Sequence, residues 1–444
     1  MIAKKFVIIL VLFLLVLAGS LQAADLFPGL KQVNLPGGPN VLLLRDDSQP
    51  VVAVQIWVKV GVWNETPEIN GISHFIEHML FKGTTSRPVN AIQEEVESKG
   101  GFLNGATSKD FTYYQVSIPG EYWSEALAVL SDMVQNASFD PVELEKERKV
   151  VRQEIDRQND EPMDYLWNEF SKQLFKQLPY RMTPLGTSTT LNSLTRDAMI
   201  KYYRTYYRPE NMTVVLVGDF SEKDALNRIN ELFPGKTGTA TATSPAVKTQ
   251  TENNENSIPL NYELPFKVDL AYQVIGFLGP TIENPDSYAL DVAAVILGQG
   301  RSSRLNQDLH EDQQLVFSVE SGFMSQRSNG VFYVDCVYTP NKINEVSHGV
   351  LKEIKTLMIS GVTDAELNKA KAMIESAFVL ENQTAEDKAS SLGYYATVYN
   401  IDAARQYLER IEAVTKEDVK QVVLKYLTEN YVSILLKPAP KKVE

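Results

Sequence analysis

The chain has 444 residues and carries 56 Asp and Glu against 43 Lys and Arg, a formal charge of -13. Acidity on this scale excludes nucleic acid as the expected partner, because phosphate binding is carried by lysine and arginine, and it suits neutral or cationic ligands. With one cysteine an internal disulfide is excluded too, so core burial must hold a fold long enough for two or more domains.

The first element is Lys4 and Lys5, an apolar run over 6–18, and small residues up to Ala23 and Ala24. Charged start, short apolar centre and small residues at the cut make a secretory signal peptide over 1–23. The run falls short of the roughly 20 apolar residues a spanning helix needs, and no later segment reaches that length. The mature protein is therefore expected to be exported, periplasmic in a Gram-negative cell, with no stable membrane span.

Alternation predicts a strand over 51–60, and the next segment, 71–80, contains His74, Glu77 and His78. Half of the four histidines lie in these five residues. On a helix, positions i and i+4 leave one face, and Glu77 projects from nearly the same stripe. Two imidazoles and a carboxylate then share a space of metal size. Zinc held by two histidines and a carboxylate, with a fourth position open, is a usual catalytic arrangement.

A hairpin follows, with 100–107 running into 111–118, then amphipathic helices over 122–135 and 142–157. The second helix is dense in carboxylates and supplies the candidates for a third ligand, Glu147 and Glu154. Seven residues apart, they share a face but stand about 10 Å apart along the axis. One zinc reaches only one of them, since Zn–O bonds are near 2 Å. One is a ligand and the other a neighbour.

Residues 236–257 lack any hydrophobic period and read as a linker between an N-terminal domain, 24–235, and a C-terminal one, 258–444. The same succession recurs on both sides. A capped helix and buried strand over 194–217 match 414–436, and 143–148 match 366–371, in the same order. Further strands are expected over 270–277 and 330–339, and helices over 344–358 and 364–380. The fold class is α+β: two homologous domains, each a mostly antiparallel sheet packed with helices on one face. Cys336, inside an expected strand, reads as a buried apolar thiol.

His74-x-x-Glu77-His78 is the inverted zincin motif, and the chain resembles the pitrilysin/insulinase family, most nearly the short branch containing mitochondrial processing peptidase and paired bacterial zinc proteases. The residues that carry the resemblance are 71–78, 100–104 with Thr107, Glu147, Arg148 and Glu154, 207–212, and 297–305. It implies half of a clamshell, one Zn2+ per chain on His74, His78 and Glu154, and hydrolysis of peptide bonds. Glu77 becomes the general base and Glu147 a catalytic support near the metal. Had Glu77 been Gln, zinc could bind but hydrolysis should largely fail. The hairpin edge, Gly101, Phe102, Leu103 and Asn104, would bind an extended peptide by strand addition.

The second half departs from the pattern. No histidine lies in its counterpart of the ligand helix, and Ala370 and Ala377 stand where Glu147 and Glu154 stand. Active relatives carry an Arg and a Tyr seven residues apart in this half; here those places hold His310 and Phe317. Phe317 has no hydroxyl, and losing one oxyanion donor costs about 100- to 1000-fold in turnover. The resemblance then implies a heterodimer with a homologous zinc-free sister subunit that supplies the Arg/Tyr pair. The alternatives are a self-sufficient homodimer and a non-catalytic, partner-binding subunit.

Overall fold

The computed structural model describes residues 26–176, 179–234 and 260–440; the expected signal peptide, 1–23, and linker, 236–257, lie outside the described residues. The apolar runs form two sheets. The first contains β1 (Lys31–Asn34), β2 (Asn40–Arg45), β3 (Val51–Val58), β4 (Phe102–Thr107), β5 (Thr112–Pro119) and β6 (Met212–Gly218), in the order β1-β2-β6-β3-β5-β4. The second contains β7 (Leu260–Phe266), β8 (Ala271–Leu278), β9 (Val316–Met324), β10 (Val331–Tyr338) and β11 (Val432–Pro438), in the order β7-β11-β8-β10-β9. Without β1 the two orders coincide strand for strand. So do the pairings: β2–β6 and β7–β11 are parallel and the rest antiparallel.

Helices of the first half are α1 (Ile72–Leu80), α2 (Ala91–Glu97), α3 (Trp123–Asn136), α4 (Pro141–Asp160), α5 (Pro162–Leu174), α6 (Ser188–Ser193), α7 (Arg196–Tyr206) and α8 (Glu222–Leu232). The second half has α9 (Asp286–Gly298), α10 (Ile343–Ser360), α11 (Asp364–Leu380), α12 (Ala385–Val398), α13 (Ile401–Ala413) and α14 (Lys416–Tyr426). Local chemistry sets their starts. Asp140 accepts from two amides of the first turn of α4, where Pro141 stands at N1. Thr195 and Thr415 cap α7 and α14 alike, the latter in a capping box with Asp418. These last two are the repeat that the sequence announces.

Helices were expected on one face of each sheet; they cover both. Val52, Val54 and Ile56 of β3 pack with Phe75 of α1 and Leu127 and Leu130 of α3. On the opposite face Ala53 and Trp57 of β3, with Val215 and Val217 of β6, meet Ala389 and Leu392 of α12, a helix of the second half. The exchange is reciprocal. Leu166, Phe170 and Leu174 of α5 lie on Val274, Ile434 and Leu436 of the second sheet.

Two glycines make the close approach possible. A Cβ on Gly393 of α12 would sit 2.1 Å from Nε1 of Trp57, and one on Gly276 of β8 would sit 2.2 Å from Cζ of Phe170. Strand β6 is buried along its whole length, as a strand sandwiched on both sides must be. Cys336 is buried, and burial pushes its thiol up, as expected of an inert apolar cysteine.

Candidate metal centre and peptide edge

Helix α1 buries Ile72, Phe75, Ile76, Met79 and Leu80 in the first core. The stripe left over carries His74 and His78, whose side chains are 12% and 16% exposed. Glu65, buried just before the helix, supplies the cap the motif lacks. Its carboxylate accepts from the Gly71 amide at 2.8 Å, the Ser73 amide at 3.0 Å and Asn70 Nδ2 at 2.8 Å. Burial raises the Glu65 pKa, and those donors draw it back. Sequence reasoning missed Glu65. The one available signal was an acid a few residues upstream of a helix without a capping side chain.

Helix α4 packs across α1 and resolves the choice between its two carboxylates. Oε2 of Glu154 lies 3.6 Å from Nε2 of His74 and 3.4 Å from Nε2 of His78. Glu147 stands behind His78 instead: its Oε2 is 3.2 Å from Nδ1 of His78, and its Oε1 meets Lys82 Nζ at 2.9 Å. An ionised Glu147 accepts a hydrogen bond from the Nδ1–H of His78 and so fixes the ring with Nε2 on the side of Glu154.

The ligand atoms of His74, His78 and Glu154 all lie within 4.8 Å of one another, and among the described residues no other such group assembles. Burial, then the neighbouring His78, push His74 down to about 4, so it stays neutral at physiological pH. Burial also lowers His78, but Glu147 and Glu154 outweigh it and lift it to about 9. In the metal-free chain the charged His78 offsets Glu154, and a divalent cation placed among the three atoms would replace that proton. Two imidazole nitrogens and one carboxylate oxygen are the donor set of a catalytic zinc, and these residues fit that ion.

Glu77 is 7% exposed, and burial raises its pKa. Thr107, at the end of β4, donates its hydroxyl to Glu77 Oε2 at 2.7 Å. Strand β4 is the edge of its sheet, paired with β5 alone. Phe102 is 59% exposed and Asn104 exposed along it, while Gly101 and Leu103 are half-buried. The edge and the metal cluster are thus tied through Thr107 and Glu77.

The turn after Thr107 is clamped from three directions. Lys109 Nζ donates to the Tyr180 carbonyl at 2.8 Å and to Ser171 Oγ of α5 at 3.3 Å. Burial drops this lysine to about 8. Asp110 accepts the Tyr180 hydroxyl at 2.7 and 2.9 Å, and the Arg327 amide of the second half at 3.4 Å. The Ser328 amide donates to the same Tyr180 oxygen at 3.2 Å. Nothing in the sequence spacing couples Asp110 to residues more than 200 positions away.

In the second half, His310 has a side chain 39% exposed, 3.5 Å from Glu311, and Phe317 is 60% exposed on β9. Ala370 and Ala377 occupy α11, which packs on α9 as α4 packs on α1.

Residues 40–189 match the model of the insulinase family, peptidase family M16, and residues 193–374 that of the M16 inactive domain. An uncharacterized zinc protease of Bacillus subtilis, YmxG, is 29% identical over 92% of this chain and 98% of its own length. A probable mitochondrial-processing peptidase subunit beta of Arabidopsis thaliana is 27% identical over 92% of this chain and 78% of its own. Among solved structures, a protease from Helicobacter pylori superposes with a TM-score of 0.87 at 23% identity, covering 93% of this chain and all of that one.

Proposed function

The chain belongs to the insulinase family of peptidases, M16, and from that premise we propose that it is the zinc-bearing subunit of an endopeptidase that cleaves extended peptides. The observation that carries this is the convergence of His74 Nε2, His78 Nε2 and Glu154 Oε2, with Glu77 one turn along α1 from His74. Zinc bound by these residues would supply Lewis-acid activation of water and of the scissile carbonyl.

The protein's own groups do the rest. Glu77 takes the proton of the attacking water and returns it to the leaving amine. Burial raises its pKa, which makes it a stronger proton acceptor toward the water than an exposed carboxylate. Thr107 holds one Glu77 oxygen and leaves the other for the water. Glu147 fixes the ring of His78. The free edge of β4 takes the peptide as an added strand, with Gly101, Phe102, Leu103 and Asn104 along it.

His310 and Phe317 offer no Arg and no phenol, so a homologous zinc-free sister subunit is assigned the Arg/Tyr pair. Export is assigned from the leader-like residues 1–23. One experiment tests the whole: zinc content and cleavage of a mixed peptide library, for wild type and Glu77→Gln, each with and without the sister. Cleavage that needs both Glu77 and the sister supports the divided enzyme. If cleavage needs Glu77 alone, the protein is a self-sufficient homodimer with His310 in the donor's place. Zinc without cleavage under every condition makes it a partner-binding subunit.

A further inference from the structure

A cavity of about 620 Å3 lies against α9 and α11 of the second half, closed on one side by Trp57 of β3, at the place corresponding to the His74, His78 and Glu154 cluster of the first half. The correspondence can be counted. Helices α1 and α9 each run into a left-handed glycine, Gly83 with φ 99° and Gly300 with φ 78°. Counting back equally from the two glycines, His74 falls on Asp291, Glu77 on Ala294 and His78 on Val295. All three line the cavity, as does Ala377 in the place of Glu154. Small and apolar residues have replaced most of the ligands, which opens the chamber, and one carboxyl remains.

The chemistry of the walls is one-sided. Tyr288, Tyr394, Tyr395 and Tyr407 surround the space with Phe323 and Phe378, and among the described residues no lysine, arginine or histidine lines it. Asp291 lies deep among them, and the surface it keeps opens into the cavity. Among the described residues its one hydrogen bond comes from the Tyr407 hydroxyl to Oδ2, at 3.0 Å. The carboxyl has no counter-charge, and burial pushes it up to about 7. Glu381, exposed, adds a second acid at the wall.

A carboxyl without a counter-ion and a ring of aromatic faces both attract positive charge. Two carboxylates, one of them exposed, among phenols and with no histidine or cysteine are too poor a ligand set for zinc or calcium. The volume lies within the range of small-molecule sites, roughly 300–1,000 Å3. We propose that this chamber binds a small organic amine as its ammonium ion, with Asp291 as counter-ion, the tyrosine faces around the charge and the apolar walls around the body.

The test is calorimetry on the full-length chain with phenethylamine, its neutral counterpart 2-phenylethanol and its anionic counterpart 3-phenylpropionate. The amine should bind at least about tenfold more tightly than the alcohol, and the carboxylate should not bind, as a desolvated cation–carboxylate contact requires. Asp291→Asn should reduce the amine to the level of the alcohol. Ala377→Trp, on the exposed side of α11, should block amine and alcohol together, and its thermal melting curve shows whether the chain still folds. Repeating the titration on zinc-stripped protein separates this chamber from amine ligation at the metal centre, and the affinity should not change. Equal binding of amine and alcohol, amine affinity unchanged in Asp291→Asn, or loss of binding with the zinc would each overturn the assignment. None of these readouts involves peptide cleavage, so the outcome is independent of the proposed peptidase activity.

Discussion

Helices α1 and α9 hold the same position in their halves, next to an edge strand and against a long helix, but the stripes they turn to that helix's side differ completely. Both bury an apolar stripe, Phe75, Ile76 and Met79 in one and Leu290, Ala293 and Leu297 in the other. The stripe at the metal-ligand cluster is His74, Glu77 and His78, and its counterpart at the cavity is Asp291 with the buried Ala294 and Val295. Packing constrains only the side that faces the core. The other side differs between the copies: a cluster of two histidines and a carboxylate in one, and the wall of an acidic, aromatic cavity in the other.

The largest effect should come from the one acid on that stripe that is not a ligand. Glu77→Gln should lower peptide cleavage by about 1000-fold while zinc content stays that of wild type, because a general base is lost and no ligand is. Metal analysis beside a turnover assay separates the two. Glu147→Gln touches the centre only through His78, so zinc affinity should fall by about 10- to 100-fold, read by competition with a chelator. An unchanged affinity would make Glu147 a bystander, like Ala370 opposite it.

The two halves also hold each other, and their exchanged helices can be broken from either side. Gly393→Ala and Gly276→Ala each force a methyl group into an aromatic ring, and each should destabilise the chain by about 1–3 kcal/mol in denaturant titrations. A smaller effect is expected of Tyr180→Phe, which leaves Asp110 with the Arg327 amide alone. About 1–2 kcal/mol of stability should be lost, and with it part of kcat, because Thr107 rides on the same turn.

The smallest concerns Asp46, which pairs with Lys388 of α12 across the two halves. Its hydrogen bonds, first that with Lys388, hold it at about 2 against an ordinary 3.8. A depressed folded-state pKa contributes stability above the unfolded value and loses it as the pH falls toward the folded one. The gap between wild type and Asp46→Asn should therefore be present at pH 5 and close between about pH 4 and pH 2. The pair keeps part of its surface in solvent, which screens it, so the gap should stay below about 1 kcal/mol in acid-range melting curves.

What could be read in the chain was local. His74, Glu77 and His78 sit within five residues and the helical repeat alone aligns them; Glu147 and Glu154 could be found but not told apart, because a shared face does not say which carboxylate meets the other helix. The strands over 51–58, 112–119, 271–278 and 331–338 were legible from alternation within a residue or two of their ends. Residues whose partners lie far along the chain were not. Thr107 binds Glu77 from another strand, and Asp110 and Tyr180 meet Ser328 from the other half. Helices were expected on one face of each sheet, and nothing local announced that α12 and α5 cover the other.

By itself the sequence determined two copies of one α+β unit and, in the first of them, two histidines and a glutamate on one helical stripe, because helix caps, strand alternation and an i, i+4 pair are short-range properties of the backbone. Tertiary structure decided which glutamate completes the donor set, what orients it, how the halves trade α5 and α12, and that the second copy encloses a chamber. Each of those depends on surfaces that meet only when remote segments bury their apolar faces together, and burial is set by the whole fold.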